Sequence, residues 1–565
     1  MFASGRAVLL IGLCGVSACA SRTLSTMRRP EYRFAGKDVV LSSGLRVAFV
    51  EDRRQPSVMV TTVLDAGAAR DPQGKEGLAE LTANLWFRAS CRPSLSVREC
   101  LEALGGIGDS AIDPDATTYT TIAARESLPL LLELEAKRLT SPLQGIDDRL
   151  LNVEREVAHN RLRQSGEMKV SRRLQDTLAQ MLFPVGHAYH RPVAGTHSSI
   201  DAVTLADACT FAEAHYRPEN TTIVVTGDFG DVSALLLAAF PPALLGSERS
   251  VGLSPAPRVS GPVAQPPPPG DRALRHLAGP VTRTTVHVAW SLPGAYRGKD
   301  WLPGVVASLL QASLVDDLAS VRTNDHDRVG ELHCWSRLGV ESSQAGCSFP
   351  LVQGEDPEKL ADRARRLVTR LWRVGDMQNR ERVLGAITPQ LATRALEHTA
   401  SIRIGDWIAA SLHYTGQTRP SVISIEQLED FQEIQLREYA NTYLRAERGV
   451  AVTVEPETIV SPSAPARVAG AVAVAIANPI GDYLAGRPDS LIADLAVVPE
   501  LANARELMLA NGLRVIFKPH GAAPLVKVAL LRGGGGVSAR SDGCPGRRPS
   551  RSPVSRPSPR HALRL

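Results

Sequence analysis

Apolar and β-branched residues crowd two short stretches near the start of the chain, 45–50 and 57–66, the second with partial alternation, and these predict β-strands. The period then lengthens. Apolar positions three and four apart in 77–88 and 96–104 predict helices. A strand pair follows at 106–123, ending "DATTYTTIAA", and helices are expected near 127–138, 146–164 and 170–183. "RPENTTIVVTGDF" reads as a turn into a buried strand. From 273 to 456 the same order returns, with a strand "TTVHVAWSL", a helix from Trp301, a strand pair around Cys334 and Cys347, and a helix "PEKLADRARRLVTRLW". Helices alternating with short antiparallel strands predict the α+β class, here tandem two-layer α/β sandwich domains with helices on one face of each sheet.

Punctuation and repetition set the expected boundaries. Pro-rich residues at 254–272 cannot build a core, so a first domain over 38–245, a linker over 246–272 and a second domain over 273–456 are expected. A second linker, rich in Ala, Val and Pro, covers 457–505. Beyond it "LANGLRVIFKPHGAAPLVKVALLRGGG" (509–535) repeats "LSSGLRVAFVEDRRQPSVMVTTVLDAG" (41–67) without a gap, at an offset of 468. Leu41/Leu509, Gly44/Gly512, Arg46/Arg514, Pro56/Pro524 and Gly67/Gly535 are among the agreeing positions, and both copies carry hairpin-turn chemistry. A duplicated fold, with a truncated third copy at 506–543, accounts for this. Residues 544–565 draw 15 of 22 positions from Arg, Pro and Ser and are expected to be disordered. A basic tail for anionic surfaces and a frame-shifted or truncated end are both compatible with them, the second being the plainer reading.

Length suggests about three domains at roughly 150 residues each, and 44% hydrophobic with 22% charged content is ordinary for a globular chain. The formal charge of +5 changes meaning on inspection, because the six arginines of 544–565 account for it and the remainder stands at −1. A near-neutral body does not predict nucleic-acid binding. The N-terminus is more specific. Arg6 precedes an apolar run from Ala7 to Cys14, too short for a stable membrane span, and then comes Val16-Ser17-Ala18-Cys19. This reads as a signal peptide over 1–19 followed by a linker at 20–37. It resembles a bacterial lipobox with Cys19 as the lipidated residue, which predicts a lipid-anchored protein of a Gram-negative-like cell envelope, at the outer membrane facing the periplasm. Export permits disulfides between Cys91 and Cys100 and between Cys334 and Cys347, with buried free thiols as the alternative for each pair.

With "GLRVAFVEDRRQPSVMVTTVLDAGAARDPQGKEGLA", "VEREVAHN" and "HAYHRPVAGTHSSIDAVTLADACTFAEAHYRPENTTIVVTGDF" in view, the chain resembles the pitrilysin/insulin-degrading-enzyme (insulinase) family of zinc metallopeptidases, the inverzincins. The resemblance covers about 40–456 and the restart at 506–543. It implies homologous α+β domains enclosing a chamber, and a site H-x-x-E-H on a helix with a distant glutamate. Positions i and i+4 share one helical face, so both histidines reach one ion, and the glutamate between them is the general base. In this chain Glu80 stands at the first ligand position, Ala83 at the base position, Asn84 at the second ligand position and Arg161 at the third. A lone carboxylate and an amide hold zinc poorly, and an arginine repels it. No catalytic residue, no metal ligand and no cofactor are therefore expected, zinc being the ion of active members.

In place of the ion, Glu80 and Arg161 are expected to form an ion pair between two helices. The family's substrate strand reads here "DSAIDPDAT", leaving Asp109, Ser110 and Ala111 as candidates for pairing with peptide backbone. Glu76 and Glu154 are nearby acids; His187 and His190 lie in a loop with a structural role, and His159 is assigned to an exposed helix face. The resulting expectation is a catalytically inactive, lipid-anchored peptide-binding or scaffold subunit that partners an active homologous peptidase. A metal-dependent endopeptidase with an atypical site, and a non-functional truncated remnant of one, are the alternatives.

Overall fold

The computed structural model describes residues 36–320, 332–373, 401–417, 433–457, 505–508 and 514–517, less short breaks at 54–55, 165–169, 231, 246–248, 252–257, 260–261, 263, 298–301 and 352–354. The expected signal peptide with Cys19, almost all of the 20–37 and 457–505 linkers and the Arg/Pro/Ser tail fall outside these residues. Among the described residues no helix is long and apolar enough to cross a membrane.

Both apolar stretches form strands, buried along nearly their whole length. Strands β1 (Gly36–Leu41) and β2 (Arg46–Glu51) close over a turn in which Gly44 adopts φ +87°, a left-handed conformation that explains a glycine there. β3 (Ser57–Leu64), β6 (Ile107–Ile112), β7 (Thr117–Ala124), β8 (Thr221–Gly227) and β9 (Arg249–Val251) complete a seven-stranded sheet, while β4 (Ser90–Arg92) and β5 (Leu95–Ser96) pair separately. The sheet order is β6-β7-β3-β8-β2-β1-β9, which leaves β6 at an edge. Against the antiparallel expectation, β2 and β8 run parallel, because the chain returns to β2 only after its helical excursion.

Helices cover one face of this sheet: α1 (Leu78–Trp86), α2 (Val97–Ala103), α3 (Leu128–Thr140) and α4 (Asp148–Leu162). Leu78, Leu81, Leu85 and Trp86 of α1 share one buried core with Leu45, Val47 and Phe49 from the start of the sheet, each contributing about 2 kcal/mol. Local signals fix the ends. Ser96 and Glu99 form a capping box at α2, and Asp147 accepts from the Leu150 amide at the start of α4.

The second domain carries a five-stranded sheet, in the order β10 (Arg275–Gly279), β14 (Val450–Pro456), β11 (Thr285–Pro293), β13 (Ser342–Pro350), β12 (His333–Arg337). Its β10 and β14 are parallel. The two domains exchange helices. Helix α5 (Val170–Leu182), which follows α4, packs Leu178, Met181 and Leu182 against Ala289, Val450 and Val452 of the second sheet. A helix from the second half, Ser401–Thr415, returns Ile408, Ala409 and Leu412 to Ala48, Val63 and Val224 on the first. Each sheet is thus covered on both faces, which the one-sided reading of the sequence did not anticipate, and this places α5 beside α1 and α4. Part of the Pro-rich segment is also held in place, since the Gly270 amide donates to Met181 O at 2.8 Å and Arg448 Nη2 donates to Pro266 O at 3.0 Å.

Both cysteine pairs form disulfides. Cys91 joins Cys100, and Cys334 joins Cys347 from directly opposed positions of β12 and β13, with Cα atoms 4.0 Å apart. Finally, β15 (Arg505–Met508) and β16 (Arg514–Phe517) pair Arg505 with Phe517 and Met508 with Arg514. At the offset of 468 these are Lys37 with Phe49 and Val40 with Arg46, the pairs seen between β1 and β2. The described residues of the repeat pair in the same register as their counterparts.

Candidate functional site

Helix α1 begins with unusual support. Its N-cap is Gly77 at φ +95°, where a Cβ would stand 2.7 Å from Ala194 O, so no side chain at that position can cap the helix. Asp71 substitutes from six residues upstream, its two carboxylate oxygens accepting from the Gly77 amide at 2.8 Å and the Ala79 amide at 2.9 Å. Burial nevertheless pushes the Asp71 carboxyl up to about 7, outweighing these amides and the nearby Arg191. This fixes the first turn of α1 and, with it, the direction of Glu80.

Antiparallel packing of α1 on α4 brings two ion pairs together at opposite ends. Arg161 Nη1 donates to Glu80 Oε1 at 2.7 Å, and Arg88 Nε, just beyond α1, donates to Glu154 Oε2 at 2.5 Å. A third group arrives from α5: Arg172 Nη1 lies 3.5 Å from Glu80 Oε2. One carboxylate, 12% exposed, is therefore shared by two guanidiniums that are 40% and 30% exposed. One turn on from Arg172, Asp176 feels Arg172, Arg337 and Glu80, and its burial pushes it up to about 6 against the two arginines.

The other ligand positions point elsewhere. Ala83 is fully buried in the core, and its carbonyl accepts from Tyr119 Oη at 3.4 Å. Asn84 Nδ2 donates to Glu80 O at 2.8 Å, back along its own helix. Glu76, the other nearby acid, reaches back to the Gly74 amide at 3.0 Å. The donor set does not fit zinc, which takes four nitrogen, sulfur or carboxylate ligands in a tetrahedron; the one central carboxylate is neutralised by two permanent cations, and the amide is committed to the backbone. Among the described residues no group of three or more His, Cys, Asp or Glu could hold a metal ion.

The edge strand β6 lies beside α1. Gly108 and Ser110 face the helices, where a Cβ on Gly108 would meet Leu101 and Phe87, and Asp109 and Ala111 are exposed on the opposite face. The Ser110 amide donates to Asp109 Oδ1 at 2.9 Å. After β6, Asp115 joins the domains: it accepts from Tyr189 Oη and, at 2.9 Å, from the Val340 amide of the second domain. Burial, then the neighbouring Asp113, pushes Asp115 up to about 6.

The histidines take structural places. His187 Nδ1 accepts from the Tyr189 amide at 3.1 Å while its ring stacks on Phe183, and His190 Nδ1 bonds Phe183 O at 2.8 Å. His159 is not on an exposed face. It is 8% exposed, packed between His197, Nδ1 to Nδ1 at 2.6 Å, and Asp201, which its Nε2 meets at 2.9 Å. The short helix His197–Asp201 and Leu205–His215 beyond it carry too weak a period to be seen in the sequence; the first covers that face of α4 and the second packs on α1. Asp71, Arg172, Asp176 and Arg337 were likewise missed. The i, i+4 spacing of Arg172 and Asp176 on a predicted helix was the one available signal; Arg337 comes from the second domain and had none.

Comparison with known proteins agrees with the fold. Residues 46–195 match the family model for insulinase (peptidase family M16), and residues 202–314 match the model for the M16 peptidase inactive domain. A protein of Mycobacterium bovis described as an uncharacterized zinc protease is 23% identical over 59% of this chain and 73% of its own length. One of Streptomyces coelicolor with the same description is 26% identical over 48% of this chain and 58% of its own. Among solved structures, an M16-like peptidase from Alicyclobacillus acidocaldarius aligns at a TM-score of 0.60 and 16% identity over 76% of this chain and 99% of that one. A protease from Helicobacter pylori aligns at 0.59 and 21% identity, over 75% and 100%. At such identities the structural likeness is one of fold.

Proposed function

The chain belongs to the insulinase family of peptidases, and within that family we propose that it is a non-catalytic subunit that binds extended peptides or acts as a scaffold, anchored by lipid at Cys19 and paired with an active homologue. One observation carries the reading: Arg161 Nη1 sits 2.7 Å from Glu80 Oε1, a guanidinium where the family's resemblance places a zinc ligand. An ion pair of this kind stiffens the α1–α4 contact that a metal would otherwise cross-link. Hydrolysis would also need a base, and Ala83 supplies no proton acceptor beside Glu80. What survives is the exposed edge of β6, whose main-chain groups can add a strand to the sheet whatever the state of the ion site. The lipid anchor rests on the Val16-Ser17-Ala18-Cys19 motif, and a periplasm-facing outer-membrane location follows from the same motif.

The relatives described as zinc proteases favour a second reading, a metal-dependent endopeptidase with an atypical site. Metal analysis of the purified chain after zinc supplementation, alongside cleavage of a quenched unstructured peptide, separates the two. Sub-stoichiometric zinc and no turnover are expected. Stoichiometric zinc lost to a chelator together with turnover would overturn the non-catalytic reading.

A further inference from the structure

The helix Pro357–Arg373 covers the second sheet on the face away from α5, and its two sides differ in character. Leu360, Ala361, Ala364 and Val368 pack into the core with Val286, Val288 and Trp290 of β11. Lys359, Arg363 and Arg366, spaced by four and three, fall on the side turned away from that core, and all three are exposed. The same spacing continues in the sequence at Arg370 and Arg373. Acids do not cancel this row. The helix holds six basic residues and two acidic ones, Glu358 and Asp362, both in its first half. Asp362 Oδ1 accepts from Arg365 Nη1 at 3.0 Å, and Asp356, just before the helix, reaches Lys359 only at 4.0 Å. Among the described residues Arg363 and Arg366 make no ion pair. On the neighbouring helix Glu433–Tyr443, Arg437 and Glu438 are both exposed and balance each other.

We propose that this row of basic side chains lays the second domain on an anionic phospholipid surface. The occupant follows from what the face offers and what it lacks. No large apolar side chain is exposed among Lys359, Arg363 and Arg366, so the face has no centre of the kind that a protein partner buries. A bilayer surface needs none. It is a sheet of negative charge, and each lysine or arginine brought near it strengthens binding about fivefold. A nucleic acid would demand a basic surface over more of the fold, and the body outside 544–565 stands at −1. The lipid-anchor reading of Cys19 holds the chain beside such a surface, and the inference rests on that reading for location alone. The row is also distinct from the Arg/Pro/Ser tail, because its charges are set at helical spacing on a packed helix.

Vesicle co-sedimentation of the full chain carrying Cys19→Ser, so that no acyl chain contributes, tests the proposal. Vesicles of phosphatidylcholine alone are compared with vesicles in which about one-third of the lipid is phosphatidylglycerol. Binding about a hundredfold stronger to the anionic vesicles is expected from three exposed basic residues, and about 0.5 M salt should remove the preference. Arg363→Gln with Arg366→Gln should weaken anionic binding about 25-fold, whereas Arg363→Lys with Arg366→Lys should keep most of it. Because both positions are exposed, these variants should unfold at the wild-type midpoint. The tail is intact in every variant, so undiminished binding by the Gln pair would assign the attraction to the tail and overturn the proposal. Equal binding to both vesicles would overturn it too, as would capture of a duplex oligonucleotide, but not of vesicles, that the Gln pair loses. Mass spectrometry of Cys19 in the unsubstituted chain reads the anchor separately. An acylated Cys19 without row-dependent vesicle binding removes this inference and leaves the anchor; an unacylated Cys19 with row-dependent binding does the reverse.

Discussion

Removing Glu80 should cost the fold more than removing Arg161, although the two are partners at 2.7 Å. Two unit charges about 4 Å apart at an effective dielectric near 20 attract by roughly 4 kcal/mol, before desolvation and side-chain entropy are charged against them. Exposed pairs retain about 0.2–1 kcal/mol of this, and one-sided breakage of buried pairs costs about 3–5 kcal/mol. With Glu80 12% exposed and Arg161 40%, the pair lies between. Arg161→Gln leaves Glu80 with Arg172 at 3.5 Å, so a loss of about 1 kcal/mol is expected. Glu80→Gln takes the carboxylate from beside the shielded Nη1 of Arg172 and removes the 2.7 Å bond of Arg161, and about 2 kcal/mol is expected. The charge-swapped Glu80→Arg/Arg161→Glu chain should recover only part of the loss, because Arg172 then faces a like charge. A double-mutant cycle on urea unfolding, followed by far-ultraviolet circular dichroism, measures each quantity. Equal costs for the two single variants would refute the shared-carboxylate account, and complete recovery in the swap would remove Arg172 from it.

Other consequences can be checked in the same way. Asp71, carried by burial from 3.8 to about 7, binds its proton more tightly folded than unfolded, so its contribution to stability is greatest below pH 4 and falls as pH rises through 7, by at most about 4 kcal/mol. Asp71→Asn should flatten that part of the stability–pH curve, and an unchanged curve would show that the carboxyl is not so displaced. Arg138 lies between the Trp86 and Tyr119 rings, 3.4 and 3.5 Å from their centroids, with Glu135 2.8 Å from its Nη2. Arg138→Ala should cost about 3–5 kcal/mol by stranding Glu135, while Arg138→Met with Glu135→Leu should cost clearly less, as thermal unfolding will report. Replacing Cys334 and Cys347 together by Ser, which opens a loop at a sequence separation of 13, should lower stability by about 3 kcal/mol; an unchanged midpoint would mean that the bond is absent in solution.

The strands and helices of the first domain were legible because their periods are local. Residues 77–88 place apolar side chains at helical spacing and form Leu78–Trp86, and the stretch near 170–183 forms Val170–Leu182. The substitutions at Glu80, Ala83, Asn84 and Arg161 were equally legible, since the H-x-x-E-H spacing belongs to one helix and the distant glutamate to a countable position on another. His159 was misplaced because its burial is set by His197 and Asp201, 38 and 42 residues away in elements of weak period.

What the sequence determined by itself was every relation that lies within one element or one repeat: strand and helix periods, the turn at Gly44, the strand register shared by 36–51 with 505–508 and 514–517, and the residue types standing at 80, 83, 84 and 161. Tertiary structure alone decided which surfaces meet. That α5 covers the second sheet and Ser401–Thr415 the first could not be read from either helix, because an apolar stripe specifies burial without naming the face that buries it. The same crossing carries Arg172 to Glu80 and sets Arg337 within electrostatic reach of Asp113 and Asp176, so a pair that the sequence could pose becomes a three-sided cluster only in the folded chain.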